Sequence, residues 1–81
     1  MAHNNHLKGA AEKLRGWRSA RGWSQEQLGT LLEIGGAQVS HLENGSRTPS
    51  LDLAARIERL TEGLISASSW VPQSDLSEVS R

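Results

Sequence analysis

The stretch WSQEQL, residues 23–28, constrains the fold more than any other part of the chain. Ser24 followed three places later by Gln27 is a capping box, in which each side chain satisfies a main-chain N–H that the end of a helix would otherwise leave bare. Trp23 and Leu28 stand at the flanking positions of a hydrophobic staple, which sets the angle at which the chain enters the helix. A helix therefore starts at Ser24. Leu28, Leu31 and Leu32 continue it with an apolar face at helical spacing. Gly29 sits in its middle at a cost of about 1 kcal/mol against alanine, which implies that another helix packs tightly at that point.

Helical patterns flank this segment on both sides. Leu7, Ala10, Ala11, Leu14 and Trp17 predict a first amphipathic helix over residues 7–20, and Gly22 is a suitable left-handed stop. Gly35 can serve as the N-cap of a third helix and Gly36 as its first residue, with Val39 and Leu42 its inward apolar pair. Two such anchors hold a short helix at a domain's surface. Gly45 closes it, Pro49 forbids continuation, and Ser50 caps a fourth helix over residues 51–61. Leu51, Ala54, Ala55, Ile57 and Leu60 are its expected inward face, and Gly63 its end. Ser66 then caps a brief fifth turn that carries Trp70 and stops at Pro72. No strand pattern occurs. The expected fold is all-α, a compact bundle of about five short helices. Residues 1–6 are expected as a flexible N-terminus, 7–71 as the domain, and 72–81 as a disordered tail. Trp17, Trp23 and Trp70 each stand where a helix packs, so they read as core fillers.

With 81 residues there is room for one small core. Nine Lys plus Arg balance nine Asp plus Glu, which argues against a polybasic binder. The charge is nevertheless uneven: residues 1–47 hold six bases and four acids, +2, and residues 48–81 hold three and five, −2. The first part thus faces an anion more readily. No cysteine is present, which excludes disulfides and thiolate zinc sites. The polar start MAHNNHLKGAAEKL offers neither a signal peptide nor a membrane span, so a cytoplasmic location is expected. His3 and His6 on that start do not make a metal site, and no metal or other cofactor is expected. Three histidines without paired carboxylates in a plausible cleft give no enzymatic constellation.

The second helix, a link of about three residues and the third helix follow the helix-turn-helix plan over residues 24–44. The segments SQEQL, VSHLENG and TPSL come in order and with the gaps of one family. The chain resembles Cro/repressor-type (XRE-like) helix-turn-helix transcriptional regulators, over residues 14 to about 70. The resemblance implies a lambda-repressor-like domain whose third helix enters the major groove of DNA. It puts Gln25 on a DNA phosphate, and base edges against the first two residues and the sixth of that helix, Gly36, Ala37 and His41. It also pairs Glu43 with Arg18 on the first helix, a structural bridge that orients the third. One departure is Glu33, which occupies the place where the family usually has glycine. Either Glu33 takes a left-handed conformation at about 1 kcal/mol of strain, or the turn shifts toward Gly35.

Because Gly36 and Ala37 carry no hydrogen-bonding side chain, the helix start allows the backbone close to the groove, and Ala37 can pack on a thymine methyl. Readout then falls to Gln38 and His41, assisted by Ser40. Gln38 can grip adenine through two hydrogen bonds, or reach back to cap Gly35. His41 can donate to guanine or to phosphate, or stand as an ordinary exposed histidine. The run ENGSR is expected along the sugar-phosphate backbone, with Asn44, Ser46 and Arg47 as clamps acting partly through main-chain N–H groups.

These readings point to a small prokaryotic or phage regulator that binds a palindromic double-stranded DNA operator as a homodimer and represses by occlusion. The rival reading is a protein-interaction module, such as an antitoxin or accessory subunit, that keeps the fold without specific DNA readout. Its partner surface would be Trp70, Val71 and the tail.

Overall fold

A computed structural model describes the backbone of residues 5–71 and the side chains of residues 9–71. The expectations for residues 1–4, for the tail 72–81 and for the side chains of His3 and His6 lie outside the described residues. Four α-helices and one 3-10 turn make up the described chain, with no strand among the described residues. They are α1 (Asn5–Ala20), α2 (Gln25–Leu32), α3 (Gly36–Glu43), α4 (Leu51–Leu60) and the 3-10 turn Ala67–Trp70. The backbone of α1 is already helical at residue 5, two residues before its apolar periodicity begins.

The capping box forms as its spacing requires. Ser24 Oγ accepts from Gln27 N at 3.0 Å, and the Gln27 amide oxygen accepts from Ser24 N at 2.7 Å. Leu28 and Leu32 are buried from this helix, whereas Leu31, expected inward, is 50% exposed. An eight-residue helix that packs mainly on one neighbour buries a narrow stripe, and Leu31 lies beyond it. A similar correction applies to α4. Periodicity puts Leu51 on the inward face, yet it is the first residue after the Ser50 cap and stands 82% exposed. The buried stripe is Leu53, Ala54 and Ile57, with Leu60 packed at its edge. Ser50 Oγ accepts from Leu53 N at 3.2 Å, so cap and core register are set by the same turn.

One core joins all the elements. Ala10, Ala11, Leu14 and Trp17 from α1 meet Leu28 and Leu32 from α2, Val39 and Leu42 from α3, the α4 stripe, Ile65 and Trp70. Trp70 is buried, so it is a core residue and not part of a partner surface, in contrast to the rival expectation. Buried Thr61 stitches the end of α4 to the next segment, its hydroxyl donating to Ile57 O at 2.8 Å and accepting from Ile65 N at 3.2 Å. Among the described residues no helix is long and apolar enough to cross a membrane.

Candidate nucleic-acid interface

The link between α2 and α3 is Glu33, Ile34 and Gly35. Glu33 adopts φ 66° and ψ 38°, the left-handed C-cap conformation, so the turn keeps the position where glycine is usual and carries the strain instead of shifting. Ile34 N donates to Gly29 O at 2.8 Å, which draws the turn back over α2. The bare mid-helix Gly29 follows from this. A Cβ there would lie 2.6 Å from Ile34 O and 3.1 Å from Gly35 C, so what crowds Gly29 is the backbone of the turn, not another helix as its cost suggested.

Gly36 has a comparable internal reason. A Cβ on it would sit 2.8 Å from Glu26 Cγ and 3.3 Å from Glu26 Cα, because the first residue of α3 rests on the first turn of α2. Its smallness is therefore required by packing within the motif, independently of any groove. Gly35 is different: it has the ordinary φ of −81° and open space around its Cβ position, and nothing in the structure requires glycine there. Its helix is capped by no side chain, so Gln38 does not reach back to it. Gln38 and Ala37 are exposed, and the Gln38 amide has no hydrogen-bond partner among the described residues.

The inner end of α3 is anchored by charge. Arg18 Nε and Nη2 donate to the two carboxylate oxygens of Glu43 at 2.6 and 3.0 Å, and Arg18 Nη1 donates to Trp23 O at 2.7 Å. Gln25 Nε2 adds a third bond to Glu43 at 3.1 Å. The Glu43 side chain is only 3% exposed and that of Arg18 15%, so the pair is buried on one side and half-buried on the other. The hydrogen bond to Glu43 raises the Arg18 guanidinium above its ordinary value against the opposing effect of burial, so it stays charged. The pair thereby ties α1, α2 and α3 at one point. Gln25, at the first turn of α2, has one amide proton committed to Glu43 and one without a partner among the described residues.

Beside this bridge lies a polar hollow of about 240 Å³ lined by Arg15, Arg18, Gln25, Ser40, Glu43 and Asn44. It gathers Gln25, Ser40 and Asn44, three residues expected at DNA, at the junction of α1, α2 and α3. Arg15 is the member that the sequence reading passed over. It stands three residues before Arg18 on α1, a spacing that puts both on one helix face, and that relation was the available signal. Arg18 is neutralised by Glu43, whereas Arg15 is exposed and makes no salt bridge among the described residues.

The loop after α3 departs from expectation in one respect. Ser46 N donates to His41 O at 3.1 Å and to Asn44 Oδ1 at 2.9 Å, and Arg47 N donates to His41 O at 3.3 Å. Gly45 N donates to Leu42 O at 3.4 Å. These main-chain N–H groups close the end of α3 and are not turned toward an anion; what the loop can present is the Asn44 amide nitrogen and the Arg47 guanidinium, both on exposed residues. At the other end of the turn, Arg56 of α4 donates to Leu32 O at 2.6 Å and to Asp52 at 2.8 Å, and lies 3.8 Å from Glu33. It thus holds a terminal carbonyl of α2 next to the strained residue. Arg21 stacks on Trp17, 4.1 Å from the ring centroid, beside the edge-to-face pair that Trp17 makes with Trp23.

Two helices joined by a three-residue link, the second exposing an outward face beside a polar hollow, define a helix-turn-helix domain. Residues 10–64 match the family described as helix-turn-helix domain. The chain belongs to that family, which is typical of XRE/Cro-like DNA-binding regulators. No curated protein and no solved structure matches the chain with significance.

Proposed function

We propose that the chain is a sequence-specific transcriptional regulator that binds a palindromic DNA operator as a homodimer and represses by occlusion. The observation that carries this reading is the juxtaposition of the free outward face of α3, Ala37, Gln38 and His41, with the hollow that holds Arg15, Gln25, Ser40 and Asn44. A duplex offers base edges in its groove and phosphates at its rim, and these two sets of groups suit the two in that order. Gln38 reads adenine or another base through its uncommitted amide, Ala37 packs on a thymine methyl, His41 and Ser40 contribute polar contacts, and Gly36 brings the start of α3 to the groove edge. Gln25, Asn44 and Arg47, joined by Arg15, bind along the phosphates. A module of this size buries too little surface to be tight and selective by itself, which supports two copies on a two-fold site.

The test is selection from a randomised duplex library at two salt concentrations. Enrichment of an inverted repeat with half-sites about one helical turn apart is expected. Absence of any enriched sequence even at low salt would remove the proposal. On the selected site, Arg15→Ala and Arg47→Ala should weaken binding to all sequences alike and each lower the salt slope by about one. Gln38→Ala should instead relax preference at one base position.

A further inference from the structure

We infer that Ser46 is a specificity-determining residue, acting through His41 by fixing which ring nitrogen of that histidine carries the proton. The inference rests on the DNA-binding reading above and deepens it. His41 Nδ1 lies 3.0 Å from Ser46 Oγ, a contact in which either atom can supply the proton. The carbonyl of His41 decides between them. It already accepts from Ser46 N at 3.1 Å and from Arg47 N at 3.3 Å, which uses both of its lone pairs, and Ser46 Oγ lies further from it at 3.4 Å. A hydroxyl has one proton to give. Of the two acceptors in its reach, Nδ1 at 3.0 Å is nearer than the doubly bonded carbonyl at 3.4 Å, so the Ser46 hydroxyl donates to Nδ1 and the neutral ring holds its own proton on Nε2.

The consequence is chemical. With Nδ1 engaged behind it, the exposed His41 ring turns Nε2–H outward as a donor. A protonated ring would also present a donor there, so the outward nitrogen never becomes an acceptor. In the major groove a donor pairs with the O6 and N7 acceptors of guanine and is mismatched against the amino group of cytosine. His41 is thereby committed to an acceptor-bearing base, guanine first, and Ser46 acts as a positioning residue and not as a phosphate clamp.

Two measurements test this together. Two-bond proton–nitrogen NMR of the free full-length chain, with the His41 signals assigned by their loss in His41→Gln, reports the tautomer without DNA. The Nε2–H form is expected for the neutral ring. Duplex selection with the parent chain, His41→Ala and Ser46→Ala then reports readout, folding of each variant being checked by circular dichroism. One position should prefer guanine in the parent and lose that preference in His41→Ala. In Ser46→Ala the preference should fall about fivefold, the factor set by one net hydrogen bond, with affinity for the remaining positions unchanged. Failure to enrich any duplex would sink the DNA reading and this base assignment with it. Enrichment combined with an Nδ1–H ring, or with Ser46→Ala weakening all sequences equally and keeping the guanine preference, would overturn the inference alone.

Discussion

Replacing Glu43 by alanine removes the acceptor on which α1, α2 and α3 converge. Three hydrogen bonds disappear, at 2.6 and 3.0 Å from Arg18 and 3.1 Å from Gln25, and Arg18 keeps only its bond to Trp23 O. Taking away one partner of a buried ion pair costs about 3–5 kcal/mol, chiefly because the other charge is left uncompensated. Arg18 retains 15% exposure and one carbonyl partner, so water can reach the orphaned guanidinium and the lower end, about 3 kcal/mol, applies. At about 0.05–0.15 kcal/mol per residue, an 81-residue chain has roughly 4–12 kcal/mol in all, of which this is a large share. Each kcal/mol moves the midpoint of a domain this small by about 4–8 °C, which predicts a fall in Tm of roughly 12–24 °C. Urea and thermal denaturation followed by circular dichroism, on Glu43→Ala, Arg18→Ala and the double variant, give the coupling. The double variant should be distinctly more stable than the sum of the single losses predicts. A cost below about 1 kcal/mol for Glu43→Ala, the range of exposed pairs, or strict additivity in the cycle, would refute the assignment of the bridge as the anchor of α3.

Other perturbations test the turn and its supports. Gly29→Ala should destabilise by about 1–3 kcal/mol in the same denaturation assay, although alanine is the better helix former, because the new Cβ meets Ile34 O at 2.6 Å; a stabilised variant would show that the turn can move away freely. Glu33→Gly should stabilise by about 0.5–1 kcal/mol, the relief of left-handed strain exceeding the entropy cost of glycine and the loss of a 3.8 Å contact to Arg56. An unchanged or lowered Tm would mean that Arg56 and Glu33 contribute more than exposed charges normally do. Asp52 tests pH dependence: the hydrogen bond and then the charge of Arg56 hold its carboxyl below the ordinary value of 3.8. A depressed folded value gives stability that is present above the ordinary one and lost as pH falls through the folded one. The stability gap between the parent and Asp52→Asn should therefore close in acid, on going below about pH 3.8, and a gap that widens there would reverse the sign.

What could be read from the chain was whatever is decided within a few residues. The Ser24 and Gln27 capping box, the Ser50 cap, the left-handed stop at Gly22 and the closure at Gly45 are local chemistry, and each helix start or stop they imply is in place. Helical periodicity likewise found Leu14, Leu28, Val39, Leu42 and Ile57, all fully buried, because a residue at the centre of an apolar stripe is inward whatever covers it. Stripe edges were decided by tertiary packing. Leu31 and Leu51 have the right spacing but stay exposed, since only the position of adjacent helices says where a stripe ends. The glycines divide in the same way. Their presence is visible in sequence, yet that Gly29 makes room for Ile34 O and Gly36 for Glu26 depends on how the turn folds back over α2.

At the candidate interface, the family pattern suggested the pairing of Arg18 with Glu43 across 25 positions, but its burial and the third bond from Gln25 exist only once three helices meet. Arg15 gains its meaning from the same convergence, which leaves it, among the described residues, the arginine of the hollow without a salt bridge while the other arginine is paired. The contacts of Ser46 depend on the fold for a related reason: Asn44 and His41 satisfy its main-chain N–H, and its hydroxyl meets an imidazole five residues back. Local hydrogen bonds and the helical repeat act over one or two turns and are therefore written in consecutive residues. Which charge is compensated, which glycine is crowded and which polar group stays free are questions about neighbours distant in the chain, and those only the packed structure supplies.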